Sequence, residues 1–176
     1  MDVILIRHTR VAVPRGICYG QTDVPVAETF AEEAANTKAA LQAYVPFDKV
    51  YSSPLRRARL LAEYCGYADC ETDPRLMELN MGEWEMRPYD TLTDDYARRW
   101  FDDYLHLPTP GGESFQDQRR RVESFLRDLS VQPFRRVAVF AHAGVLGCAA
   151  IYGGLYPESQ AWDSVTDYGG LLRITL

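Results

Sequence analysis

Histidine is scarce in this 176-residue chain, with three in all, and cysteine is little commoner, with four. Cys18, Cys65, Cys70 and Cys148 fall at no zinc or redox spacing, which excludes a finger or a thioredoxin-type motif. A chain of this length buries a sizeable core without disulfide staples, so free thiols in a reducing compartment are expected. No apolar run approaches the length of a bilayer span. Val3 to Ile6 is far too short for a signal-peptide core, and Arg7 and His8 interrupt it at once. A cytoplasmic protein without membrane contact is therefore expected. Low-complexity tracts and internal repeats are also missing, which excludes disordered and solenoid architectures. The net charge of −6 leaves no general excess of cations for a nucleic-acid polymer.

What is present is an ordinary globular composition, 47% hydrophobic and 25% charged, in a length that suits one compact domain over residues 1–176. Its arginines are clustered. Arg7, Arg10 and Arg15 face only Asp2 among the first fifteen residues, and Arg56, Arg57 and Arg59 form a second group. Local arginine clusters in an acidic chain suggest a small anionic ligand; read by composition alone, they are solvated surface charges.

The pattern alternates strands and helices. Asp2 to Arg7 reads as a short buried strand, followed by a Gly/Pro-containing loop from Val13 to Pro25. Glu28 to Tyr44 suits an amphipathic helix. Lys49 to Ser52 is a second strand, after which Ser53 as N-cap and Pro54 at the first position open a helix to Cys65. The segment 74–88 is irregular, and a helix is expected over Thr91 to Leu105, broken at Leu107 to Gly112. Ser114 to Asp117 resembles a capping box that opens a helix to about Leu129. Arg136 to Ala141 is a buried strand, His142-Ala143-Gly144 turns into a helix to about Tyr152, and Leu171 to Leu176 closes the chain as a strand. This order predicts an α/β fold, a three-layer αβα sandwich with a mainly parallel central sheet. Ligands in such sheets bind beyond the carboxyl ends of the strands. Arg7-His8, Ser53 to Arg57, and His142 all lie at such ends.

Each of these groups has a plainer reading. His8 alone reads as a structural histidine, yet beside Arg7, whose guanidinium suits two phosphate oxygens, it suits a nucleophile toward phosphorus. Arg57 sits one turn into a helix whose N-terminus attracts anions, or on an exposed arginine-rich face. Glu78, Glu83 and Glu85 are candidate acids for protonating a leaving oxygen, or merely acids in a loop. The small residues after His142 allow close backbone approach, or make a compact strand–helix turn. A zinc site built from His8, His142 and an acid is disfavoured by the neighbouring arginines.

Together the blocks resemble the histidine phosphatase superfamily, also called phosphoglycerate-mutase-like. Leu5-Ile6-Arg7-His8-Thr9 is similar to its N-terminal signature, and Tyr51 to Ala58 to its second block. Leu76 to Glu85 resembles its acid block, Pro110 to Ser114 a recurring segment, and Ala141 to Gly144 its last block; they occur in family order. The resemblance implies the phosphoglycerate-mutase-like fold, with His8 as phosphoryl acceptor, Arg7, Arg57 and His142 on the phosphoryl oxygens, and Glu78 as proton donor. It implies no metal and no organic cofactor. Thr9 departs from the commoner glycine.

The loop Arg15 to Pro25 resembles that of alpha-ribazole phosphatases, which act in cobalamin assembly, and more loosely loops of mutases and sugar phosphatases. Thr9, Arg15, Tyr19, Gln21, Thr22 and Ala143 are the candidate substrate contacts. The expected activity is hydrolysis of a small phosphorylated metabolite through a phosphohistidine. Alternatives are a phosphoglycerate mutase (longer in this superfamily), a broad sugar-phosphate phosphatase, a metallohydrolase, and a non-catalytic phospholigand-binding module. Oligomeric state is not readable from the sequence.

Overall fold

In the computed structural model, which describes residues 1–161 and 164–176, five strands form one sheet in the order β3-β2-β4-β1-β5. They are β1 (Asp2–Arg7), β2 (Lys49–Ser52), β3 (Glu71–Thr72), β4 (Arg136–Ala141) and β5 (Leu171–Thr175). All neighbours pair in parallel except β5, which runs antiparallel along β1. The alternation of the strands decides the layering. Val3, Leu5, Val137 and Val139 point to one core with the helices α4 (Phe115–Ser130) and α5 (Ala143–Tyr152). Ile4, Ile6, Ala138 and Phe140 point to the other, with α1 (Phe30–Leu41) and α2 (Arg56–Tyr64). The result is the expected αβα sandwich. α5 is apolar on every side and buries Gly144 to Ala150, as a helix between a sheet and other elements must.

The stretch from 74 to 110 starts with Leu76 in the core shared with α4 and α5, then joins Cys18 in a smaller cluster around Trp84 and Trp100, whose rings meet edge to face at 5.2 Å. Three short 3-10 turns lie in it, with α3 (Asp95–Asp102). No helix among the described residues is long and apolar enough to cross a membrane. The four cysteines are unpaired.

The structure corrects several expected boundaries. The helix expected over Thr91 to Leu105 is confined to Asp95–Asp102. The Asp94 carboxylate caps it by accepting the Ala97 N–H at 2.8 Å, and Asp103 leaves helical geometry. Ser53 does not cap α2, because Leu55 is still extended and the helix begins at Arg56. Instead Asp23, from the distant loop, accepts the Arg56 N–H at 2.8 Å. The helix expected over Glu28 to Tyr44 is the shorter α1. The two-residue β3 has no apolar alternation to announce it.

The capping box at Ser114 is formed on both sides: Ser114 Oγ accepts the Asp117 N–H, and Asp117 accepts the Ser114 N–H at 2.9 Å. Ser114→Ala should lower unfolding free energy by about 1 kcal/mol. Urea denaturation checks this as a lower midpoint at unchanged slope.

Candidate active site

The register of the sheet builds the site. Arg7 is paired with Ala141 across β1 and β4, so the next residues, His8 and His142, emerge together with ring centroids 5.2 Å apart. β2 ends beside them, and the Ser53 N–H binds Phe140 O at 2.8 Å. His8, His142, Ser53, Thr9 and Arg57 are all buried.

One hydrogen bond orients each imidazole. His8 Nδ1 lies 2.7 Å from Thr9 O. A carbonyl only accepts, so Nδ1 carries the hydrogen and Nε2 keeps its lone pair. Ser53 Oγ accepts the Leu55 N–H at 3.3 Å and lies 2.8 Å from His142 Nε2. His142 Nδ1, on the other side of the ring, is buried without a partner among the described residues. Burial first, then Arg57 and Arg7, lowers His8 from 6.5 to about 3, partly opposed by the Thr9 hydrogen bond. Burial likewise pushes His142 well below its ordinary value, reinforced by Arg57 and by His8. Both rings are neutral at physiological pH.

Arg7 donates through Nη1 to Thr166 O at 2.6 Å and stacks on Tyr168, its Cζ 3.8 Å from the ring centre. Arg57 donates Nη1 to Thr22 O at 2.9 Å and Nη2 to Gly20 O at 2.5 Å. The Nε of each arginine is buried with no partner among the described residues, as is Thr9 Oγ1. Unpartnered donors at one end of the sheet, beside two neutral imidazoles, are what a phosphoryl group would satisfy.

The three candidate acids are sorted by their partners. Glu83 is exposed. Glu85 accepts the N–H groups of Gly20, Gln21, Thr22 and Met81 and the Thr22 hydroxyl, all within 3.3 Å. Burial works against its charge, but the Thr22 hydroxyl and the Gly20, Gln21 and Met81 N–H groups hold it below the usual carboxylate range. It is a latch on the loop. Glu78 is half-buried. Its Oε1 accepts from Leu79 N–H and Gln118 Nε2, and its Oε2 from Gly144 N–H at 3.2 Å. A Cβ on Gly144 would overlap both the carboxylate and the Gln118 amide, so only glycine lets the acid sit against α5.

The loop contacts divide in the same way. The Thr22 hydroxyl is given to Glu85 at 2.6 Å and the Gln21 amide to Glu78 O at 3.1 Å, so both side chains hold the loop in place. Tyr19 meets Tyr168 hydroxyl to hydroxyl at 3.1 Å. Beyond this pair a cleft of about 620 Å³ opens, walled by Val11, Val13, Pro14 and Ile17, with Arg10 and Arg15 on its lining. Arg10 is ion-paired to Glu33 at 3.0 Å, and Arg15 is exposed. Ala143, half-buried, is the first residue of α5. The third histidine, His106, pairs with Asp103 on the surface. Among the described residues no group of three or more His, Cys, Asp or Glu is placed to hold a metal ion.

Several residues at the site lie outside the sequence expectation. Tyr168 covers Arg7 and sits 5.6 Å from His8 ring to ring. Its one signal is an aromatic residue before the Gly169-Gly170 pair that leads into β5. Arg121 binds Glu113 and the carbonyls of Arg75, Met77 and Glu78, stapling the strap that carries the acid. No local pattern distinguishes it from its neighbours Arg119 and Arg120.

Comparison with known proteins identifies the family. The family model described as histidine phosphatase superfamily (branch 1) matches residues 3–176. The chain is 32% identical to an adenosylcobalamin/alpha-ribazole phosphatase of Escherichia coli (strain K12), over 96% of this chain and 87% of that one. It superposes on the alpha-ribazole phosphatase of Shigella flexneri with a TM-score of 0.88 at 29% identity, covering 100% and 91% of the two chains. A phosphoglycerate mutase of Thermus thermophilus aligns with a TM-score of 0.75 at 27% identity, covering 100% and 99%.

The depressed His8 value has a definite sign. Between about 3 and 6.5 the unfolded chain binds a proton at this position that the folded chain refuses. Its contribution is therefore complete above pH 6.5 and is lost as pH falls toward 3, up to about 5 kcal/mol. The expected result is a ¹⁵N imidazole spectrum with His8 and His142 neutral from pH 8 to about 5, and His8→Asn losing less stability on acidification than wild type. A His8 signal titrating near its ordinary value would refute it.

Proposed function

The chain belongs to the histidine phosphatase superfamily (branch 1) and is a phosphatase; on that premise we propose that it hydrolyses alpha-ribazole phosphate through a phosphohistidine at His8 Nε2. The observation that carries the reading is a set of buried polar groups without a partner among the described residues, the donors Arg7 Nε, Arg57 Nε and Thr9 Oγ1 and the ring nitrogen His142 Nδ1, beside a neutral imidazole. Burying polar hydrogens without acceptors is costly, and an anion at the site removes the cost.

In the first step the Nε2 lone pair of His8 attacks phosphorus in line. The ester P–O bond breaks, and Glu78 gives its proton to the departing alcohol. Arg7, Arg57 and His142 stabilise charge on the three peripheral oxygens, a preorganised electrostatic contribution. In the second step water attacks phosphorus while Glu78 takes its proton. The N–P bond breaks, phosphate leaves, and His8 returns to its neutral form. Thr9 Oγ1 and the Ala143 N–H at the start of α5 offer further contacts.

Two things support a nucleoside-like alcohol. Two relatives, 32% and 29% identical over 96% of this chain, are adenosylcobalamin/alpha-ribazole phosphatases. The cleft beyond Tyr19 and Tyr168 has apolar walls, which suit a planar ring more than a small polyol. Of the candidate substrate contacts in the loop, Tyr19 and Arg15 line this cleft, while Gln21 and Thr22 serve the loop. The exposed Arg15 favours a second reading, a sugar acid whose carboxylate it would meet, as in a phosphoglycerate substrate.

Phosphate release from alpha-ribazole phosphate, sugar phosphates and phosphoglycerates, measured side by side, tests the assignment. The highest kcat/KM is expected for alpha-ribazole phosphate, with an acid-labile phosphoryl label on His8 and background activity in His8→Ala. Isomerisation of a phosphoglycerate without free phosphate would reverse it. Glu78→Gln should slow alkyl esters by roughly a hundredfold or more and activated aryl esters far less. Equal slowing of both would remove Glu78 as the acid.

A further inference from the structure

The acid proposed above must work in two protonation states, donating a proton in one step and taking one in the next. The hydrogen-bond partners of its two oxygens are all donors. Glu78 accepts three hydrogen bonds, from Leu79 N–H, Gly144 N–H and the Gln118 amide, and none of these donors offers an acceptor for the proton of a carboxylic acid. The two backbone donors are fixed by the chain. The third is not.

Gln118 lies one turn into α4 and is fully buried. Its Nε2 donates to Glu78 Oε1 at 2.8 Å, while its Oε1 is buried with no partner among the described residues. An unsatisfied buried carbonyl oxygen is unusual and calls for a reason. Its consequence here is mechanical. A donor on Oε1 would lock the NH₂ toward Glu78; without one, nothing anchors the far side of the amide. Turning the amide half a revolution exchanges oxygen for nitrogen in nearly the same volume, so the packing against Gly144 need not change.

We propose that Gln118 is a positioning residue that serves Glu78 in both its forms, its amide donating to the carboxylate and reversing to accept the proton of the carboxylic acid. Because the far side is unsatisfied in either orientation, neither form is preferred through this contact. Glu78 is thereby held in one place while its proton comes and goes. The inference rests on the reading of Glu78 as the proton donor and acceptor.

Gln118→Met keeps the length and apolar volume of the side chain and removes both functions of the amide. Two slowed steps are expected, by roughly tenfold each: cleavage of alkyl phosphates and hydrolysis of the phosphohistidine. Phosphorylation by activated aryl phosphates should stay near wild type, and KM should change little. Alkyl esters cleaved as fast as by wild type, or faster at alkaline pH, would show a fixed donor that only stabilises the carboxylate, and would overturn the proposal. A measurement on the wild-type protein does not depend on the variant folding. The side-chain ¹⁵N–¹H signals of Gln118 should shift as Glu78 titrates and stay still in Glu78→Gln; signals indifferent to Glu78 would also overturn it. Glu78→Gln assayed in parallel separates the two claims. If it slows alkyl and aryl esters alike, the premise about Glu78 fails. If it discriminates between them and Gln118→Met does not, only the inference about Gln118 falls.

Discussion

The pairing of Arg7 with Ala141 across β1 and β4 is the constraint on which the site depends. The strands are parallel and in step, so the residues that follow them leave the sheet at one edge, side by side. A one-residue slip would send one imidazole to the opposite face. The same slip would also turn the core inside out, because Val3 and Leu5 pack with Val137 and Val139 on one face while Ile4 and Ile6 pack with Ala138 and Phe140 on the other. Packing the core and juxtaposing His8 with His142 are thus one condition. The β2–β4 ladder extends it by setting Ser53 against His142 Nε2.

Charge is distributed against the overall composition. A chain of net charge −6 gathers Arg7 and Arg57 at a buried point. Arg57 is satisfied mainly by carbonyl oxygens, Gly20 O and Thr22 O, so its charge there is partnered but not neutralised. Burial acts against that charge, and Glu78 is the largest of the groups that favour it. The excess positive potential has two effects at once. It attracts a phosphoryl dianion, and it joins burial in keeping His8 unprotonated. A nucleophilic imidazole needs its lone pair, so the groups that would bind the substrate also keep the proposed nucleophile competent.

Much of this was legible in the sequence. β2 and β4 have the limits that their apolar patterns indicate, because buried strands flanked by polar turns leave little latitude. The Arg7-His8 and His142 positions follow from those strand ends. Legibility fails where a partner is remote in sequence. The start of α2 is set by Asp23, 33 residues away, which no local rule for Ser53-Pro54 includes. Thr22 and Gln21 look like ligand contacts because polar side chains in a glycine loop usually face solvent; Glu85, 63 residues on, claims the Thr22 hydroxyl. Tyr168 and Gln118 carry no motif at all and matter only through what the fold lays against them.

The loop itself shows how a short chain orders its binding edge without large inserts. Glu85 collects the N–H groups of Gly20, Gln21 and Thr22, and Arg57 collects the carbonyls of Gly20 and Thr22. One carboxylate and one guanidinium thus satisfy a turn that has no regular structure of its own. Gly20 is required there, since a Cβ would run into Leu79 O. Arg57 then has its two terminal nitrogens on the loop and its Nε edge left over. The planar fork makes this division possible; an ammonium, a single point of charge, could not hold two carbonyls and still present a separate edge. Loop position and the proposed anion clamp are therefore coupled through one rigid group. A shift of the loop turns the Nε edge, and an anion drawn to that edge bears in return on the loop.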